Sequence, residues 1–135
     1  MMTTATEAAG SVTGGVRLML RLEGLALFVV MMLLYVHWGA SWWLFALLFL
    51  APDFSFIAYL AGPKIGALVY NAAHTTMAPA ALMFVGLAST APLLLPIATI
   101  WLAHIGIDRS LGYGLKYSAG FAFTHLGRIG KAATT

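Results

Sequence analysis

Between residues 101 and 117 an otherwise apolar chain gathers groups that can do chemistry: His104, Asp108, Arg109, Tyr113 and Lys116, set among Gly106, Gly112 and Gly114. If 101–108 is helical, His104 and Asp108 stand four residues apart and project from one face. Asp53 follows Pro52, Asn71 and His74 are three apart, Glu23 lies near the start and His125 near the end. Imidazole and carboxylate ligands suit zinc, manganese or iron, and three protein ligands with one open position make a catalytic arrangement. The expected ligands of a divalent metal are therefore His74, His104 and Asp108, with His125 folding back as a further one. Asp53 is expected as a fourth ligand or general base, and Lys116 and Arg109 as cations that steady a developing anion. Glu23, Asn71 and Tyr113 would orient the ligands from behind. The set is scattered, and no HExxH motif ties it together.

Composition decides the solvent. The chain has 135 residues, 61% of them hydrophobic and 8% charged, where a water-soluble domain carries about a quarter charged residues. Its mean hydropathy is +0.93. That describes one domain in a bilayer. The absence of cysteine excludes disulfides and thiolate chemistry. A net charge of +3 reads as membrane orientation, so lipids are the expected partners, nucleic acid is not, and a homo-oligomer is allowed.

An all-α, four-helix transmembrane fold is expected to position these groups. Residues 1–16 read as a disordered tail, and 17–135 as a single membrane domain. Apolar spans are expected at about 22–39, 41–60, 65–87 and 91–107, each near the roughly 20 residues that cross a bilayer. Pro52 predicts a kink near Asp53. Arg17, Arg21, Lys64, Arg109, Lys116, Arg128 and Lys131 all fall in the tail, the second connection or the C-terminal segment. In a four-span meander those segments share one side, which the positive-inside rule makes the cytoplasm, with both termini there. Residues 109–135, with Tyr113, Tyr117, Phe121 and Phe123 among glycines, read as an interfacial cap ending in a frayed tail. Each helix then brings a polar group to the inner half of the bundle, where ionisable residues are costly and mark function.

Blander readings stay open beside this one. An intramembrane histidine also serves as a hydrogen-bonding strut between helices. Asp108 could pair with Arg109 or Lys116, and Glu23 with Arg21 or Lys116. His37, beside Trp38, reads as interfacial. The basic cap suits anionic lipid headgroups as well as a phosphate-bearing ligand.

The segments LRLEGLALF (20–28), WWLFALLFLAPD (42–53), YLAGPKIGALVYNAAH (59–74), WLAHIGIDRSLGYGLKY (101–117) and THLGRIG (124–130) closely resemble an uncharacterised bacterial family of small integral membrane proteins known only as a domain of unknown function. The resemblance covers almost everything from residue 20 to 130 and implies four membrane helices. A weaker similarity, carried by Pro52-Asp53 and by His104 with Asp108, is to membrane-bound metal-dependent hydrolases of the inner membrane. Their fuller string of N-terminal His and Asp residues is missing here. The expectation is a multi-pass inner-membrane protein with a cytoplasm-facing His/Asp site, acting as a metal-dependent hydrolase of a lipid or phosphate-bearing substrate. The alternatives are a small transporter or proton relay through Asp53, His74 and Asp108, a bis-histidine haem between His74 and His104, or a structural membrane protein.

Overall fold

The computed structural model describes residues 11–117 and 123–128. They form α1 (Gly14–Trp38), α2 (Trp42–Leu48), a 3₁₀ helix (Ala51–Ala61), α3 (Pro63–His74), α4 (Met77–Ala88), α5 (Leu94–Leu111) and a small hairpin of β1 (Phe123–Thr124) and β2 (Gly127–Arg128). Among the described residues two stretches, Gly14–Trp38 and Trp42–Ala61, are long and apolar enough to cross a membrane.

Prolines set the breaks. Proline lacks an N–H and its ring collides with the carbonyl four residues earlier. For Pro52 that carbonyl belongs to Leu48, where α2 stops, and the chain resumes as a 3₁₀ helix with proline in its first turn. The kink expected near Asp53 is thus a change of helix type. For Pro79 the carbonyl belongs to Thr75, the C-cap of α3, so the third span expected at 65–87 is two helices broken at 75–76. At 12 residues each, these helices run about 18 Å apiece.

Helix α5 is central. Ala98, Thr99, Ile100 and everything from Leu102 to Gly106 are buried on it. It packs most extensively on α1, next on α4, while the 3₁₀ helix packs on α3. Gly24, Met31 and Tyr35 form the buried stripe of α1, at helical spacing. Its other faces expose Leu22, Val30, Leu33 and Val36. The two helices run antiparallel: Arg21 Nε donates to Ser110 O at one end, and Trp38 Nε1 donates to Thr99 Oγ1 at the other. Midway they touch backbone to backbone. A Cβ on Gly106 would lie 2.7 Å from Phe28 N, and one on Gly24 would lie 2.9 Å from Gly106 O.

Gly112, at φ 91°, ends α5 in the left-handed region that favours glycine. Its N–H bonds to Arg109 O and Tyr113 N–H to Asp108 O, 2.8 Å away, which turns the chain into the cap. Two-residue strands pair Phe123 with Arg128 and Thr124 with Gly127, and Lys116 bridges to Thr124. The tail expected to reach residue 16 ends sooner. Ser11 Oγ donates to Thr124 O, Val12 N–H donates to His125 O, and α1 begins at Gly14. The hairpin edge supplies partners that a sequence pattern does not reveal. Residues 1–10, Phe121, Lys131 and the expected frayed end lie outside the described residues.

Candidate metal centre

Four side chains from three elements meet against α5. His104 and Asp108 leave it one turn apart, His74 is the last residue of α3, and Asp53 sits in the first turn of the 3₁₀ helix. Their four donor atoms all lie within 4.8 Å of one another. His104 Nε2 is 3.2 Å from Asp53 Oδ1 and 3.3 Å from Asp108 Oδ2. His74 Nε2 is 3.3 Å from Asp53 Oδ1, 3.6 Å from Asp108 Oδ2 and 3.3 Å from His104 Nε2. Bonds of about 2.0–2.1 Å from a tetrahedral ion to its ligands imply edges of about 3.3–3.4 Å between those ligands. The observed spacings sit around that value, so these residues fit a divalent ion.

The chemistry of the donors agrees. His74 Nδ1 lies 2.8 Å from Tyr70 O, and a carbonyl only accepts, so the proton is on Nδ1 and the Nε2 lone pair faces the cluster. This is how a metal-binding imidazole is usually oriented. Two imidazoles and two carboxylates facing one point are acceptors facing acceptors, and a cation or added protons must balance them. The side chains of His104, His74 and Asp108 are 1%, 5% and 16% exposed, whereas that of Asp53 is 41% exposed. Asp53 is therefore the open side of the group. The 3.3 Å between the imidazole nitrogens, with both carboxylates against them, leaves no room for a haem between His74 and His104.

The surrounding residues hold this arrangement. The Tyr70 ring stacks on His74 with centroids 3.7 Å apart and planes 7° apart. The Phe49 ring meets His104 edge-on at 5.6 Å. Trp101 Nε1 donates to Ala73 O at 2.6 Å, fixing α3 to α5 beside His74. Tyr70 and Phe49 were missed by sequence reasoning, although Tyr70 precedes His74 by four residues, the spacing that puts its carbonyl beneath the imidazole.

Asn71 works through the cap. Its Nδ2 donates to Lys116 O at 2.7 Å and its Oδ1 accepts from Lys116 N–H at 2.6 Å. Lys116 is buried, with Nζ 4.9 Å from the centroid of the Tyr70 ring, and burial lowers its pKa to about 8 against the pull of Asp108 and Asp53. Losing both bonds in Asn71→Ala is expected to cost about 1–3 kcal/mol. A lower midpoint in thermal unfolding and faster proteolysis within residues 113–117 would register it.

The other expected residues lie elsewhere. His125 Nδ1 accepts from Leu115 N–H at 2.9 Å and is not among the four clustered donors. It lines a separate cavity of about 150 Å³ together with Glu23 and Arg109, where burial first, then the Arg109 charge, lower its pKa against a backbone bond to Leu115. Arg109 Nη2 is directed to His74 O at 3.5 Å. The Tyr113 side chain is 42% exposed, and its contact with Asp108 is through the main chain. His37 stacks obliquely against Trp38.

A family model described as a domain of unknown function (DUF4260) matches residues 17–129. No curated protein and no solved structure matches the chain.

Proposed function

The chain belongs to the DUF4260 family, and from its site we propose a multi-pass inner-membrane protein that holds a divalent metal and hydrolyses a lipid or phosphate-bearing ester. The observation that carries this reading is the cluster of His74, His104, Asp108 and Asp53, whose four donor atoms lie within 4.8 Å of one another; the three more buried side chains would hold the ion and Asp53 would stand at its open position. Four passes with both termini in the cytoplasm are part of it. The seven basic residues fall in the three segments that such a meander puts on one side. Apolar side chains such as Trp43, Leu47, Phe54, Leu60 and Phe84 are turned outward, as lipid contact requires. His74 lies about 15 Å along α3 from Lys64, and His104 about 10 Å along α5 from Leu111, distances that agree with a site within the membrane that faces the cytoplasm.

A bound divalent ion would supply Lewis acidity and lower the pKa of water at the site. In the reaction, water adds to the phosphorus or carbonyl carbon of an ester, the bond to the alcohol oxygen breaks, and the proton from water ends on that oxygen. Asp53, the most exposed of the four, takes the proton and returns it. The Lys116 ammonium, buried under the cap, faces the negative charge that develops. Arg109, directed to the His74 carbonyl, has a positioning role. His74 and His104 stay fixed as ligands through the Tyr70 carbonyl and the Phe49 ring.

Two experiments test the proposal. Metal-loaded protein is given mixed phospholipid vesicles and, separately, p-nitrophenyl phosphate, and release is measured with and without chelator. Chelator-sensitive release is expected from one of them. None from either, in protein holding about one ion per chain, overturns the hydrolase and leaves a metal-holding scaffold. The second is a pH profile: because Lys116 gives up its proton near pH 8, the rate is expected to fall about tenfold per unit above that point. Lys116→Arg, charged throughout, should abolish that fall.

A further inference from the structure

We propose that the apolar cavity next to the metal centre receives a single alkyl chain of the substrate, so that the ester cleaved belongs to an amphipathic, single-chain lipid or to one chain of a larger lipid. This deepens the preceding reading and rests on it. The cavity measures about 300 Å³ and is open along one side, at the small end of ligand sites. Leu48, Ala51 and Pro52 wall it from one side and Ile97, Ile100 and Trp101 from the other.

Its position is fixed by helical spacing. On α5, Ile97, Trp101, His104 and Asp108 follow at steps of four, three and four, which is one stripe. The face that presents the ligands therefore continues one and two turns further as cavity wall. The opposite wall carries Pro52 next to Asp53, and Ala73 next to His74. A chain lying along this face meets the metal centre within about one helical turn, 5.4 Å.

The lining selects hydrocarbon. The two polar side-chain groups on it are already spent: Ser55 Oγ donates to Pro52 O at 2.7 Å, and Trp101 Nε1 donates to Ala73 O. Neither side-chain donor is left to hold a headgroup there, and a polar occupant would lose hydrogen bonds of its own. The neighbouring outward residues Leu47, Leu50 and Phe54 are apolar, so the open side faces what the four-pass reading makes the lipid interior, from which an alkyl chain enters without crossing water. Volume limits the occupant to one chain, and polarity places the ester at the carboxylate end of the cavity.

The test uses the full chain, zinc-loaded in nanodiscs, with palmitic acid that carries a mid-chain diazirine. Irradiation is expected to label peptides containing residues 48–55 and 97–101. Labelling should fall about tenfold in Ala73→Phe, which fills the cavity. Ala51→Phe, whose native residue is exposed at the rim, tests the same point where a buried change could disturb folding. Zinc content should stay unchanged in at least one of the two. Labelling indifferent to a cavity-filling variant that retains zinc, label confined to the outer faces of α1, or cross-links joining two copies of the chain overturns the alkyl-chain proposal alone. Absence of zinc from the wild-type protein overturns the metal reading beneath it.

Discussion

Replacing His104 with alanine is expected to abolish stoichiometric metal binding. After dialysis against zinc, wild-type protein in detergent should hold about one ion per chain and the variant less than about a tenth of that. His104 is the least exposed of the four, and its Nε2 touches both carboxylates and the other imidazole. Its loss leaves two carboxylates facing one nitrogen. Loss of a residue that merely orients a ligand commonly costs 10–100-fold in affinity, so loss of the ligand itself should cost about 100-fold or more. Asp53→Asn should be milder, because that side chain is the most exposed of the set and the three buried ligands remain. Elemental analysis of the purified proteins gives the comparison, and a wild-type protein with no metal above background would remove the centre from consideration.

The second large effect is expected at the contact between α1 and α5. In Gly106→Ala the new Cβ would lie 2.7 Å from Phe28 N and 2.8 Å from Gly24 O. Both are backbone atoms, so no rotamer change relieves the clash, and the helices must separate. Overpacking of this kind costs about 1–3 kcal/mol even where side chains can give way, so the upper end or more is expected here. Gly106 lies between His104 and Asp108, so the same displacement should weaken metal binding along with stability. Gly15→Ala is the control. Nothing lies within 4 Å of its Cβ, and alanine is the better helix former by roughly 0.5–1 kcal/mol. Thermal unfolding of both variants, with metal content measured in parallel, gives the answer. Equal midpoints would mean that the backbone contact does not hold the fold.

Much of the centre could be read from residue types alone, because charge is rare in this chain. His104 and Asp108 fall one turn apart in an apolar helix, and His74 and Asp53 are isolated ionisable groups in apolar runs, which is expensive unless they meet. The structure brings all four together. The arrangement around them was less legible. The span expected at 65–87 is broken at Thr75 and Thr76, beginning four residues before Pro79, and the apolar residues on both sides mask that break. Pro52 predicts a kink but not that the chain beyond it winds as 3₁₀ and packs on α3. In the glycine-rich cap no periodicity exists to place His125, and it pairs with the main chain of Leu115 instead of joining the donors. The Asn71 clasp on Lys116 joins residues 45 apart in sequence, and only the fold relates them.

The winding of residues 51–61 has a consequence for how an ion would be taken up. Those 11 residues would be about 5 Å shorter as an α-helix, with more relaxed hydrogen bonds. Such a rewinding would swing Asp53 around the axis and away from its three companions. An ion held by the other three, with Asp53 facing it, would therefore stabilise the stretched coil, and the stretched coil would in turn raise affinity for the ion, by the same free energy in each direction. Capture and release would then be accompanied by a change in the length of this segment, visible as a spacing between probes at its two ends.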